Sequence, residues 1–143
     1  MPDSLTEANK ALVLEAFDTL FNRRDYAAAE RFCRRATSSI APTSPGREGL
    51  FDLIRSAPAD LRYEHGLILA EGDHVMVHGR FSGNGRPAAW IAVDILRIED
   101  GILAEHWDVL QDEATADSSV SGPPMFGWAF PHGFRRRFSC LNA

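Results

Sequence analysis

Apolar residues in the first third of the chain recur at the spacing of helices. Residues 6–23 carry one apolar stripe, formed by Val13, Phe17, Leu20 and Phe21. Asp25 is a suitable N-cap for a second helix with a buried side that extends to Cys33. A short third helix around Phe51 ends before Pro58. Residues 36–46 are rich in Pro, Gly, Ser and Thr, which predicts a loop, with or without a short strand, between the second and third helices.

After Asp60 the apolar pattern changes from the helical period to alternation along strands. The alternation predicts strands over residues 61–70 and 74–82, followed by a hairpin over residues 88–111. The sequence Glu99-Asp100-Gly101 supplies the turn of this hairpin. Three helices that precede an antiparallel meander predict an α+β fold.

The register of the hairpin decides which side chains share a face. A three-residue loop with Gly101 in a bulge position pairs Ile98 with Ile102 and sets Asp94 opposite His106. One face then contains Trp90, Ala92, Asp94, Leu96, Ile102, Ala104, His106, Asp108 and Leu110. A two-residue loop would instead place Asp94 and His106 on opposite faces. We adopt the bulge because a glycine stands at its third position.

The preceding strand adds two residues to the same interpretation. Pairing Ser82 near Ala88 would put His78 close to Ala92, on the face that holds Asp94. Met76 alternates in step with His78, so we expect it on that face too. The glycine-rich loop after Ser82 can bulge, so the sequence pattern does not fix this register.

The other face of the hairpin is nearly as apolar as the first. Ile91, Val93, Ile95, Trp107 and Val109 lie along it. A short chain with few helices can cover one side of a sheet, so we expect a second copy of the protein to cover the outer face. The alternative is a twisted sheet with one partly hydrated face and scattered surface aliphatic residues.

Composition and charge limit the classes of protein to which this chain can belong. The chain has 143 residues, of which 45% are apolar, enough for the core of one domain. The formal net charge of −5 argues against a nucleic-acid surface, and no apolar stretch approaches the length of a membrane span. The polar N-terminus lacks the features of a secretory signal, so we expect a soluble, cytoplasmic protein with Cys33 and Cys140 as free thiols.

The end of the chain differs in composition from the rest. We predict one domain over residues 1–127 and an aromatic and basic tail over residues 128–143. A loosely ordered tail is one interpretation. The alternative is a tail that folds with Met125 and Phe126 over the pocket or onto a partner subunit, since exposed aromatic residues at this density are unfavourable.

The polar residues on the inner face indicate acid/base chemistry. A carboxyl group among apolar neighbours has a raised pKa, which suits Asp94 to proton transfer near neutral pH. His106 can hydrogen-bond to Asp94, and Asp108 can orient His106, so these three are the predicted catalytic residues. Metal binding is an alternative, because His78 and these three are acceptable ligand types. The sequence has no recognised motif for metal ligands, phosphate or a dinucleotide, and we expect neither a metal nor a cofactor.

The stretches Ala70-Glu71-Gly72-Asp73, Val93-Asp94-Ile95-Leu96-Arg97 and Glu105-His106-Trp107-Asp108-Val109 carry a family resemblance. With them the chain resembles the SnoaL-like proteins of the nuclear transport factor 2-like superfamily, known as polyketide cyclases or aldol-condensation enzymes. The resemblance implies a cone-shaped, curved antiparallel sheet wrapped around N-terminal helices, also described as cystatin-like. It further implies a dimer through the outer sheet face and a pocket Asp that acts without a cofactor.

Carried over by position, the resemblance places Asp94, His106 and Asp108 in the cavity with His78 beside them. We expect the pocket to be lined also by Met76, Trp90, Ile40 and Phe17. Relatives usually carry Tyr-Ile-Gln-His-Asn-Pro where this chain reads Ala36-Thr37-Ser38-Ser39-Ile40-Ala41. A His and an Asn that would face the pocket are therefore replaced by Ser39 and Ile40.

The leading hypothesis is a small cofactor-independent enzyme. It would carry out cyclisation, aldol-type, isomerisation or dehydration chemistry on a hydrophobic carbonyl or polyketide-like compound, with Asp94 as acid and base. The missing His and Asn favour a second hypothesis, a binding protein for a small apolar ligand without turnover. A third is a dimeric scaffold with a filled core.

Overall fold

The computed structural model describes residues 4–39 and 46–127 of the chain. Ile40, Cys140 and the predicted tail over residues 128–143 lie outside the described residues. Within the described part, no helix is long and apolar enough to cross a bilayer.

The N-terminal helices follow the predicted order. Helix α1 spans Ser4–Phe17 and continues as a π-helical turn over Asp18–Asn22. Helix α2 spans Tyr26–Ala29, with the Asp25 side chain accepting a hydrogen bond of 3.0 Å from the Ala28 amide. A 3-10 turn over Glu30–Phe32 follows, and α3 spans Gly46–Ser56. The predicted cap at Asp25 is therefore confirmed.

Five strands form one sheet. They are β1 (Cys33–Ser39), β2 (Arg62–Glu71), β3 (His74–Ser82), β4 (Trp90–Glu99) and β5 (Ile102–Asp112), in the order β1-β5-β4-β3-β2. Strands β2 to β5 form an antiparallel meander, and β1 runs parallel to β5 at its edge. The predicted α+β layout is confirmed.

Strand β1 begins within the expected second helix and continues into the expected loop. Cys33 has the extended dihedral angles φ −130° and ψ 136°, so the second helix does not continue to it. Residues 36–39, where a loop with or without a short strand was expected, belong to this strand, although 33–39 show no alternation of apolar residues. The reason is tertiary: the strand forms because the free edge of β5 offers it backbone hydrogen-bond partners. Its last residue, Ser39, is the register partner of His106.

The helices pack on the inner face of the sheet and enclose the core. The buried apolar residues there come from every layer and include Val13, Phe17, Tyr63, Val77, Leu96 and Leu103. A smaller cluster under α3 contains Leu20, Ala29, Phe51 and Ile54. Burial of this apolar surface is the main source of stability for a fold of this size.

The β4–β5 turn differs from the expected three-residue loop. Asp100 and Gly101 both have positive φ, at 53° and 71°, and Glu99 pairs with Ile102. These are the features of a two-residue hairpin turn with left-handed backbone at both positions. The predicted pairing of Ile98 with Ile102 is therefore wrong.

An extra residue lies further along β5 instead of in the turn. Ile98 pairs with Leu103, whereas Arg97 pairs with Glu105, so Ala104 has no partner. This bulge shifts the register by one residue, and His106 returns to the inner face that holds Asp94. Ile102 and Ala104, which were expected on the inner face, do not belong to it. Leu103 takes their place and is 4% exposed.

The register of β3 against β4 places its polar residues on the outer face. Val77 pairs with Asp94, His78 with Val93 and Met76 with Ile95. The prediction that His78 and Met76 share a face with Asp94 is therefore wrong. The loop over residues 83–87 makes the register one residue different from the expected one, and a shift of one residue exchanges the faces of a strand.

Gly79 on β3 provides room for an aromatic side chain from β2. A Cβ added at Gly79 would lie 2.5 Å from the Tyr63 hydroxyl oxygen and 2.7 Å from Cζ of its ring. Real Cβ atoms do not approach other atoms so closely. The absence of a side chain at Gly79 therefore allows Tyr63 to lie flat across the inner face.

We expect Gly79→Ala to destabilise the fold by about 1–3 kcal/mol, because overpacking a core forces shifts of this size. The free energy of unfolding in urea measures the loss. The same change in a Tyr63→Leu background should cost less, because the atoms that clash are gone. An equal loss in both backgrounds would contradict the role of the Tyr63 ring.

Candidate active site

A buried carboxyl group and an imidazole meet on the inner face of the β4–β5 hairpin. Asp94 is 3% exposed, and its Oδ1 lies 2.8 Å from Nε2 of His106, a hydrogen-bonding distance. His106 pairs with Leu96 in the backbone, so its ring reaches Asp94 diagonally. The expected direct opposition of the two residues is wrong, but their side chains do contact each other.

Asp108 is the residue directly opposite Asp94. Its backbone pairs with that of Asp94, and its side chain is partly buried. The negative charge of Asp108 disfavours the ionised form of Asp94. The structure therefore brings the three predicted catalytic residues together on one face.

The surroundings of Asp94 change its acidity. Burial raises the pKa of Asp94 above its ordinary value, and the negative charge of Asp108 raises it further, whereas the hydrogen bond and the charge of His106 oppose the rise. Raised carboxyl pKa values of this kind are typical of groups that exchange protons with a substrate.

A small apolar cavity lies against His106. Its volume is about 30 Å³, and Phe17, Leu20, Cys33, Arg47, Leu96 and His106 are among the residues that line it. The Phe17 and His106 rings pack edge to face at 6.3 Å between centroids. Phe17, one of the predicted lining residues, is part of the wall of this cavity and lies beside the imidazole. Asp94 is not among the lining residues, and it contacts His106, which is.

The other predicted lining residues lie elsewhere. Trp90 packs against the core at the start of β4, roughly 20 Å from Leu96 at 3.3 Å per residue, and does not reach the cavity. His78 and Met76 are on the outer face, where the His78 ring packs against Phe126 at 5.6 Å. Ile40 lies outside the described residues.

Tyr63 is a polar residue of this region that the sequence analysis missed. It is 6% exposed, and its hydroxyl has no hydrogen-bond partner within the described part of the chain. Burial raises the pKa of Tyr63, and the negative charge of Asp94 raises it further. The sequence pattern that could have identified Tyr63 is the alternation of Leu61 and Tyr63 where β2 begins, because it places both side chains on the inner face.

Cys33 and Arg47 complete the wall of the cavity. Cys33 is a buried free thiol, and burial raises its pKa to about 11, against the opposing charge of Arg47. The thiol is therefore protonated at neutral pH and a poor nucleophile. The Arg47 guanidinium is itself buried and forms an ion pair with Glu48 at 2.9 Å.

The catalytic candidates also have the chemistry of metal ligands. Among the described residues, Asp94, His106 and Asp108 each offer a donor atom within 4.8 Å of the others. Carboxylate and imidazole groups suit several divalent ions.

Comparison with known proteins identifies the family. The sequence matches the model of the SnoaL-like domain over residues 13–106, a range that includes Asp94 and His106. Because this match covers more than half of the chain, the protein belongs to the SnoaL-like domain family. No curated protein sequence matches the chain.

Solved structures share the fold over most of the chain. A candidate ketosteroid isomerase from Kribbella flavida is 22% identical, with 75% of this chain and 80% of that chain covered and a TM-score of 0.65. TsrD from Streptomyces laurentii is 25% identical, with 78% and 92% covered and a TM-score of 0.63. A candidate SnoaL-like polyketide cyclase from Shewanella putrefaciens is 18% identical, with 71% and 88% covered and a TM-score of 0.60. The nuclear transport factor 2-like fold is confirmed.

We expect Asp94 to make stability depend on pH. A carboxyl group whose pKa is higher in the folded state than its unfolded value of about 3.9 stabilises the fold at low pH, and this contribution is lost as the pH rises through the folded pKa. The wild-type free energy of unfolding, relative to that of Asp94→Asn, should therefore fall as the pH rises above about 4, by at most about 1.4 kcal/mol per pH unit.

Urea denaturation between pH 4 and pH 8 measures this difference. Asp117→Asn, at an exposed loop position, is the control and should follow the wild type throughout. Parallel curves for the wild type and Asp94→Asn would show that the carboxyl group titrates alike in the folded and unfolded states.

Proposed function

We propose that this protein is a cofactor-independent enzyme that transfers protons next to the carbonyl group of a small hydrophobic compound. The observation that carries the proposal is the buried hydrogen bond of 2.8 Å between Asp94 and His106, at the wall of an apolar cavity. In this arrangement the Asp94–His106 pair is the acid/base unit. Asp108 tunes it by its negative charge.

The chemistry of the pair suits this role. A hydrogen-bonded carboxyl and imidazole can accept a proton at one atom and return it at another, and burial keeps the pKa of Asp94 above its ordinary value. The candidate ketosteroid isomerase and polyketide cyclase among the structural neighbours have names that denote reactions of this class. Isomerisation and aldol-type cyclisation both begin with removal of a proton next to a carbonyl group.

The size of the cavity limits how a substrate can bind. About 30 Å³ holds one water-sized group, whereas small-molecule sites usually measure several hundred Å³. The cavity lies between the sheet, the π-helical turn and α3, so a ring compound enters only as these elements separate. The apolar wall selects for hydrophobic compounds.

A second function, binding without turnover, is favoured by a different observation. Ser39 occupies the position where relatives usually carry a His, and its backbone pairs with that of His106 in the sheet. A site without that imidazole has fewer proton carriers. Such a protein would bind an apolar compound saturably and leave it chemically unchanged.

We expect the protein to speed exchange of the α hydrogens of 2-tetralone, a hydrophobic bicyclic ketone, for deuterium. Proton NMR in D₂O follows the loss of the α signals. Asp94→Asn should lower the enzymatic rate by about 100-fold or more, the usual contribution of a positioned general base.

Asp117→Asn, which changes a carboxylate in an exposed loop, should retain the wild-type rate. Circular dichroism checks that both variants are folded. Full activity in Asp94→Asn would remove Asp94 from the mechanism, and saturable binding of 2-tetralone without exchange would favour the binding function.

We also propose that the protein forms a homodimer through the outer face of the sheet. A row of apolar residues crosses four strands there, with Leu69 paired to Met76, Met76 to Ile95 and Ile95 to Trp107. Leu69 is 51% exposed and Met76 41%. A contiguous apolar row of this kind is unusual on the free surface of a monomer and is typical of subunit interfaces.

We expect Ile95→Lys to convert the dimer to a monomer, because the charge would lie in the centre of the interface on both subunits. Sedimentation velocity measures the mass in solution. Leu53→Lys, at a helix position that is 49% exposed, is the control and should remain dimeric. A monomeric wild type would contradict the proposed interface.

A further inference from the structure

Two buried polar atoms on the inner face lack hydrogen-bond partners within the described part of the chain. They are the hydroxyl oxygen of Tyr63 and Oδ2 of Asp94. A buried polar group without a partner costs about 1–3 kcal/mol, so such groups are rare, and a catalytic role is one of the known reasons for them. Two of them near one site indicate a third group that both can bind.

The sheet register places these two atoms near one another. The Tyr63 hydroxyl lies over Gly79, which pairs with Ala92 on β4. Asp94 is two residues along β4 from Ala92, and its own partner on β3 is Val77. Side chains two residues apart on one strand point to the same face. The phenol and the carboxyl group therefore share one region of the inner face.

Tyr63 is held firmly in this position. The Asn22 side chain accepts a hydrogen bond from the Tyr63 amide at 2.9 Å and donates one to the Tyr63 carbonyl oxygen at 3.1 Å. The ring packs against Phe17 at 5.1 Å and Phe81 at 4.8 Å between centroids. A hydroxyl fixed from several sides is preorganised to bind a ligand, because little entropy remains to be lost.

Phe17 links this region to the cavity beside His106. Its ring packs on both Tyr63 and His106 and forms part of the cavity wall. A compound that enters the cavity and displaces this ring meets Tyr63 on one side and the Asp94–His106 pair on the other.

We propose that Tyr63 is a further catalytic residue, whose hydroxyl donates a hydrogen bond to the oxygen of the substrate while the Asp94–His106 pair removes the neighbouring proton. This inference rests on the proposed function. The α C–H bond breaks and its proton passes to the pair. The C–H electrons form the C=C bond of the enolate, and the π electrons of the carbonyl group move to its oxygen, which Tyr63 stabilises.

The substrate class follows from this geometry. In the compound, the carbon that carries the acidic hydrogen is bonded to the carbon that carries a carbonyl or enol oxygen. Hydrophobic rings form its remaining sides. In an isomerisation the enolate is conjugated with a neighbouring C=C bond, and the proton returns to the far carbon of that conjugated system while the C=O bond re-forms. In a cyclisation the enolate carbon attacks a second carbonyl, whose oxygen takes the proton.

Fluorine NMR tests the contact directly, because the chain contains only two tyrosines, Tyr26 and Tyr63. Protein labelled with 3-fluorotyrosine gives two signals, which the Tyr26→Phe and Tyr63→Phe variants assign. The probe is 2-naphthol, an aromatic analogue of the enol of 2-tetralone. We expect saturable addition of 2-naphthol to shift the Tyr63 signal and leave the Tyr26 signal in place.

Binding measurements separate the hydroxyl from the ring. Tyr63→Phe should weaken 2-naphthol binding about fivefold to tenfold, the effect of one neutral hydrogen bond, and leave naphthalene binding unchanged. It should also lower kcat for 2-tetralone exchange more than it changes KM. Tyr26→Phe is the matched control and should alter none of these values.

Several results would overturn the inference. They are an unshifted Tyr63 signal at saturation, equal loss of 2-naphthol and naphthalene affinity in Tyr63→Phe, and no binding of 2-naphthol to the wild type. The proposed function fails separately: a shifted Tyr63 signal with no exchange of 2-tetralone would leave the contact in place and contradict the acid/base activity.

Discussion

The unpaired residue Ala104 is the constraint on which the site depends. Side chains of a strand alternate between two faces, so one extra residue exchanges the faces of everything beyond it. With the two-residue turn alone, His106 and Asp108 would lie on the outer face, away from Asp94. The bulge at Ala104 returns both to the inner face, where His106 contacts Asp94 at 2.8 Å. Bulges commonly lie beside active sites for this reason.

The site concentrates polar groups on the inner face of the sheet, beside mostly apolar core residues. Asp94, His106 and Tyr63 each lose hydration on burial, and the hydrogen bond between Asp94 and His106 offsets only part of that loss. Replacing them by apolar residues of similar size would be expected to stabilise the protein. Their presence at the centre of a SnoaL-like fold is therefore better explained by function than by stability.

The parts of the fold that the sequence predicted have strong local signals. The apolar stripe of α1, the cap at Asp25 and the alternation along β3 and β4 all depend on a residue and its near neighbours. The predictions that were wrong concern residues whose structure depends on distant parts of the chain. Cys33 begins a strand because β5 provides an edge, and Met76 and His78 face outward because the loop over residues 83–87 sets the register of β3.

The amino-acid sequence is enough to predict the helices, the meander, the family and the placement of Asp94, His106 and Asp108 on one hairpin. It could not determine the position of the bulge, since Ala104 has no distinctive chemistry, nor bring Tyr63 to Asp94 from another strand. Those relations depend on which backbone atoms pair and on the space above Gly79. Pairing and space are properties of contacts between distant segments, so they are fixed only when the chain has folded.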